Sequence, residues 1–164
     1  MNQVECPAGL YTSLMEALLK SPCVGFCSTT FGDPICRGCK RTIREVDQWN
    51  TLTGGEQRQV WQRLWQQTTE VVCRYLAVKD STLLRQQLQR FAVRHHLGAP
   101  PEVWALDLLR AGSEQIRDLS AYGLELLPSW KRLTPAELFN RINAQLWLEA
   151  AQAARDSHPD NDQS

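Results

Sequence analysis

No stretch of this 164-residue chain approaches the length of a membrane span. The longest run without a charged residue is Ser21–Gly32, twelve residues with several polar members, whereas a spanning helix needs about 20 apolar residues. An excess of charge of one sign is also missing, since 18 Lys and Arg balance 18 Asp and Glu. Global electrostatics therefore gives no reason to expect a membrane or a nucleic acid as partner, and any such partner has to be recognised by a local patch. Histidine is scarce, and the adjacent His95 and His96 would point about 100° apart on a helix, so they cannot act as a pair on one face. No Ser/His/Asp order, phosphate loop or paired catalytic carboxylate stands out, and the chain reads as non-enzymatic. The opening Met-Asn-Gln-Val-Glu-Cys lacks the basic start and apolar stretch of a secretory signal. The expectation is a cytoplasmic protein. Wholesale disorder is excluded by a composition of 43% hydrophobic and 22% charged residues, ordinary for a globular protein.

Cysteine is what the chain has in quantity. Four of the six cysteines fall between residues 23 and 39, in the order Cys23-x3-Cys27-x8-Cys36-x2-Cys39. In a reducing compartment, clustered thiols suit metal ligation better than a disulfide framework. Four thiolates satisfy a tetrahedral Zn²⁺ completely, or hold the irons of an Fe–S cluster. The x2 half, Cys36-Arg37-Gly38-Cys39, lets both sulfurs turn towards one ion, with Gly38 where the turn is tight. The x3 half is wider than usual for a zinc knuckle and favours a larger cluster. A shell closed by four thiolates leaves no open position for a substrate, which argues for a structural or electron-transfer role over Lewis-acid catalysis. Cys73 follows Val71 and Val72 in a helical pattern and reads as core packing. Cys6, before Pro7, reads as a bystander or an extra thiol.

Around the cysteines the chain reads as helices. Leu10, Leu14 and Leu18 recur on one face of a short helix over residues 9–19. Residues 21–41 contain Gly25, Gly32, Pro34 and Gly38 and show no helical period, so they form an irregular loop. A bound metal is the natural way to order so long a loop. Thr42-Ile-Arg-Glu45, Thr53-Gly-Gly-Glu56 and Thr134-Pro-Ala-Glu137 each fit a capping box that opens a helix, the second running to about Ala77. Asp80 or Ser81 starts a helix that stops near Leu97-Gly98, with Leu84, Leu88 and Phe91 on its apolar side. Pro100 and Pro101 open another, and Ser113–Tyr122 is a further short helix. Six tryptophans can fill a core. No strand pattern of convincing length appears. The fold class is all-α: an irregular metal-bound cysteine-rich loop near the N-terminus, followed by a helical bundle. The expected segments are a short helix at 1–20, a four-cysteine module with its following helices at 21–78, a helical domain at 79–156, and a disordered tail at 157–164.

Arg37, Lys40, Arg41 and Arg44 crowd the second cysteine pair and are read as a candidate anion- or partner-binding rim. Three roles compete. The cations offset the negative charge of a thiolate-bound metal, contact the phosphates of RNA or DNA, or dock an acidic redox partner. A protein partner is expected ahead of a nucleic acid, and a membrane is not expected.

The stretches Ser21-Pro22-Cys23-Val24-Gly25-Phe26-Cys27 and Cys36-Arg37-Gly38-Cys39-Lys40-Arg41-Thr42, followed by Glu45 and Trp49, resemble a small bacterial four-cysteine family of unknown function labelled "predicted Fe-S protein". That family continues into a helix rich in Glu, Arg and Leu, matched here by Glu56, Arg58 and Leu64. The resemblance spans residues 21–65 and implies an Fe–S cluster as cofactor, with one Zn²⁺ as the alternative. The function expected from residues and resemblance together is a metal-binding protein: an electron carrier, a redox or metal sensor, or a partner-binding module. The alternative is a structural zinc module whose basic rim binds nucleic acid or protein.

Overall fold

A computed structural model describes residues 20–157. The short helix expected before residue 20 and the tail after residue 157 lie outside them. The described residues form five α-helices, four short 3-10 turns and one two-stranded sheet, so the fold is predominantly helical. None of these helices is long and apolar enough to cross a membrane. The helices are α1 (Ile43–Asp47), α2 (Gly54–Val72), α3 (Ser81–Arg90), α4 (Pro101–Gly112) and α5 (Pro135–Ser157), and the strands are β1 (Leu76–Val78) and β2 (Leu124–Leu126).

All three capping boxes form. The Thr42 side chain accepts from Glu45 N at 3.1 Å while Glu45 Oε2 accepts from Thr42 N at 2.9 Å. Thr53 and Glu56 repeat the exchange at the start of α2, and Thr134 and Glu137 at the start of α5. Each satisfies two backbone donors that a helix start otherwise leaves open.

The described chain divides into two compact units, one of residues 65–142 and one of residues 20–64 with 143–157. This differs from a cut at residue 78. The reason is that residues 143–157 supply the apolar face on which Ile35 is buried.

In the first unit, Val71, Val72, Leu76, Leu84, Leu88, Leu109, Leu124, Leu138 and Ile142 are almost wholly buried. Helix α3 packs on α4, and α4 on β1. β1 and β2 pair antiparallel, with Leu76 opposite Leu126 and Val78 opposite Leu124. The expected helix to Ala77 thus stops at Val72 and gives way to a strand. Three-residue strands 48 positions apart leave no local alternation to read. Gly123, at φ 74°, joins the last 3-10 turn of this stretch to β2; a Cβ there would sit 2.3 Å from the Asp80 carbonyl oxygen.

Two further expectations shift. Helix α3 ends at Arg90, well before Gly98. Ala92 takes the left-handed conformation (φ 52°) and Val93 N donates to Leu88 O at 2.8 Å, a helix stop usually marked by glycine and here carried by alanine. Phe91 is consequently exposed and not on the apolar side. Residues 113–122 form a turn and then a 3-10 turn at Leu119–Tyr122, because the Asp118 carboxylate accepts from Ser120 N at 2.8 Å and caps a new start there. Cys73 is half-buried and disulfide-bonded, in place of the packed thiol the helical pattern suggested.

Candidate metal centre

The segment carrying Cys23 and Cys27 is held by short local bonds. Gly25, at φ 91°, turns its N–H back onto Cys23 Sγ at 3.4 Å. Beyond Cys27 the chain makes a 3-10 turn, Ser28–Phe31, with Ser28 and Thr29 buried, and Cys27 Sγ lies 3.0 Å from Thr29 Oγ1. Cys23 and Cys27 are half-buried.

The second half is a tight hairpin. Cys36 N donates to Arg41 O, and Lys40 N to Cys36 O, each at 2.9 Å, while Ile35 and Thr42 pair as an isolated antiparallel bridge. Lys40 closes the turn in the left-handed region at φ 63°. Cys36 and Cys39 are both buried, and their thiols hydrogen-bond each other. Burial pushes the Cys36 thiol up, yet backbone contacts from Cys39, Ser28 and Gly38 outweigh it and bring the group below its ordinary value. Burial dominates at Cys39 and raises it, against the opposing hydrogen bond from Arg41.

The two cysteine segments are pressed together. Cys36 Sγ approaches Phe26 O at 3.5 Å, and Arg37 N donates to Ser28 Oγ at 2.8 Å. A Cβ on Gly38 would lie 2.4 Å from Phe26 O and 2.9 Å from Val24 Cγ2. Gly38 is therefore required by the approach of the first segment, where the sequence alone suggested only a tight turn. The hairpin is seated in turn on α5. Ile35 packs against Ala150 and Ala151, with Trp147 and Ala154 alongside, and Trp147 Nε1 donates to Ile35 O at 3.0 Å.

The four cations do not form one surface rim. Arg37 is exposed, paired with Asp33 at 2.9 Å and stacked 4.4 Å from the Trp147 ring. Arg44 is exposed and donates to Gln48 Oε1 at 3.2 Å. Lys40 is buried, and its ammonium donates to Arg37 O and Asn143 Oδ1 at 2.5 Å and to Gly38 O at 2.9 Å. It is a clamp on the Cys36–Cys39 turn. Arg41 is also buried: Nε donates to Cys39 Sγ at 3.3 Å, and the guanidinium stacks 5.0 Å from Trp49.

Four sulfur donors, two of them buried and interlocked with the segment that carries the others, fit a thiolate-bound metal in the chemistry of the donor set. Among the described residues no three Cys, His, Asp or Glu side chains converge as metal donors. Cys36 and Cys39 are together, while Cys27 turns to Thr29 and Cys23 meets Gly25 N.

Residues 21–68 match a family described as "Protein of unknown function (DUF1289)". The match takes in all four clustered cysteines and all four cations, and its description names neither metal nor activity. No curated protein and no solved structure matches the chain.

Asn143 and Trp147 were not legible as part of this site. They lie on α5, about a hundred residues from the cysteines, and carry no ligand-like signal of their own. Trp49 stood in the motif that carries the resemblance, but its pairing with Arg41 is visible only in the fold.

Proposed function

We propose that the chain is a non-enzymatic metal-binding protein in which Cys23, Cys27, Cys36 and Cys39 share one Fe–S cluster. The observation that carries this reading is the interlock at Gly38. At Gly38 the Cys23–Cys27 segment comes so close to the Cys36–Cys39 turn that there is no room for a methyl group, which supports a centre drawing on both cysteine pairs. A metal held by all four thiolates would need Cys23 Sγ and Cys27 Sγ to turn from Gly25 N and Thr29 Oγ1 towards Cys36 and Cys39. When bound, such a cluster supplies one-electron chemistry. The chain's own part is to bury two of the thiols, hold the turn through Lys40, and place a cation beside Cys39.

The partner in this reading is another protein. Only Arg37 and Arg44 of the four cations reach solvent, a weak footprint for nucleic acid. The cysteine segments meanwhile expose Phe26 and Phe31, the latter 83% accessible, together with Val24, and exposed apolar side chains grouped along one loop suit protein docking.

The test is anaerobic purification from iron-replete cells with iron, zinc and acid-labile sulfide measured on the same sample. The proposal expects a brown protein containing iron and sulfide. A colourless protein with one zinc would assign the structural zinc module instead, and a protein with neither metal would overturn metal binding altogether.

A further inference from the structure

We infer that Arg41 is the built-in counter-charge of the four-cysteine centre. Its Nε bonds Cys39 Sγ, and its Nη1 is directed to a second sulfur acceptor, a thiolate or an inorganic sulfide, that comes into place only when the centre is loaded. The inference rests on the reading that these cysteines bind a metal.

Arginine stays charged at any accessible pH, so its burial cannot be relieved by losing a proton, and a buried cation is costly unless it is paired. Arg41 is 3% exposed. The partners of its guanidinium among the described residues are one sulfur at 3.3 Å and one aromatic face at 5.0 Å. Its Nη1 is buried with no hydrogen-bond partner, and within the described residues of the cysteine unit no other buried polar side-chain atom is in that position. The other cations are accounted for elsewhere: Arg37 by Asp33 and Trp147, Lys40 by two carbonyls and Asn143, Arg44 by Gln48 and solvent. A thiolate centre supplies what Arg41 lacks. Four thiolates around Zn²⁺, or around a doubly positive Fe–S core, leave about two net negative charges. Hydrogen bonds to such sulfurs tune the centre from outside its ligand shell. Trp49 fixes the aim. It is itself buried against Val60 and Leu64, so the guanidinium lies against a packed ring.

The test uses Co²⁺ as probe on the full, reduced chain under anaerobic conditions, comparing R41M and R41K with the unaltered protein. R41M keeps the apolar stem and loses the charge. Its Co²⁺ affinity should fall about 10- to 100-fold, the range seen when outer partners of metal ligands are removed. Its sulfur-to-cobalt charge-transfer band should move to lower energy, because the sulfur lone pairs lose a stabilising cation. R41K should recover part of both changes. Affinity and band position unchanged in R41M would overturn the inference while leaving metal binding intact. An unaltered chain that takes up no Co²⁺ would overturn this inference, while iron, zinc and sulfide content decides the metal reading itself. Should R41M fail to fold, NMR of the unaltered chain with ¹⁵N-labelled arginine decides. Loading must bring one shifted, slowly exchanging guanidinium signal, and unchanged arginine signals would overturn the inference.

Discussion

Replacing Gly38 by Ala tests the interlock that brings the two cysteine pairs together. The added Cβ would meet Phe26 O at 2.4 Å and Val24 Cγ2 at 2.9 Å. To reach even 3.0 Å from that carbonyl, the backbone at Phe26 and the Cys36–Cys39 turn must separate by about 0.6 Å. The Val24 methyl can rotate aside, but the carbonyl is main chain and sits next to Cys27. Metal–ligand lengths tolerate only about ±0.2 Å, so this separation has to be undone or carried as strain. Overpacking of this kind costs about 1–3 kcal/mol, which as lost metal affinity is roughly 5- to 150-fold. Gly32→Ala is the control. Gly32 has φ 93° with nothing within 4 Å of the added carbon, so it incurs only a backbone penalty of about 1–2 kcal/mol and does not wedge the segments apart. The assay is Zn²⁺ competition on anaerobic protein, with amide exchange across residues 24–39. Faster exchange at both segments and a larger affinity loss in G38A than in G32A are expected. Equal affinity in G38A and the unaltered chain would refute the reasoning.

Other outcomes follow from neighbouring contacts. Lys40→Met removes a buried donor from Arg37 O, Gly38 O and Asn143 Oδ1 and should lower stability by about 2–4 kcal/mol in urea unfolding, whereas Arg44→Ala on the surface should change it by less than about 0.5 kcal/mol. Glu56 and Glu137 are held below the usual carboxylate range, chiefly by the backbone N–H groups of Thr53 and Thr134. A carboxylate with a depressed folded pKa stabilises the fold above its unfolded value, about 4.3, and that stability is lost as pH falls through the folded value. Acid unfolding should therefore be shallower in E56Q and E137Q, and an unchanged acid slope would count against both caps.

What the sequence revealed and what it hid divide along physical lines. The capping boxes at Thr42, Thr53 and Thr134 were legible because both partners lie within one turn. The apolar face of α5, Leu138, Ile142, Leu146 and Ala150, was legible for the same local reason, and all four residues are buried. The α3 stop at Ala92 was hidden because alanine does not advertise a left-handed conformation, and the β1–β2 pair because each strand is too short for a pattern. At the candidate site, the spacing of the cysteines singled out Cys23, Cys27, Cys36 and Cys39. It could not separate four clustered cations into a clamp, Lys40, a sulfur-facing charge, Arg41, and two solvent-facing residues. That division depends on Asn143, Trp147 and Trp49, which reach the hairpin only through the fold.

The claim that the four cysteines share one metal centre is met most directly by metal stoichiometry in a Cys36→Ser, Cys39→Ser double variant, purified anaerobically beside the unaltered chain. The account predicts that the double variant loses its metal and that amide exchange quickens across residues 21–41, while residues 65–142 keep their protection. Full metal retention in the double variant would contradict it.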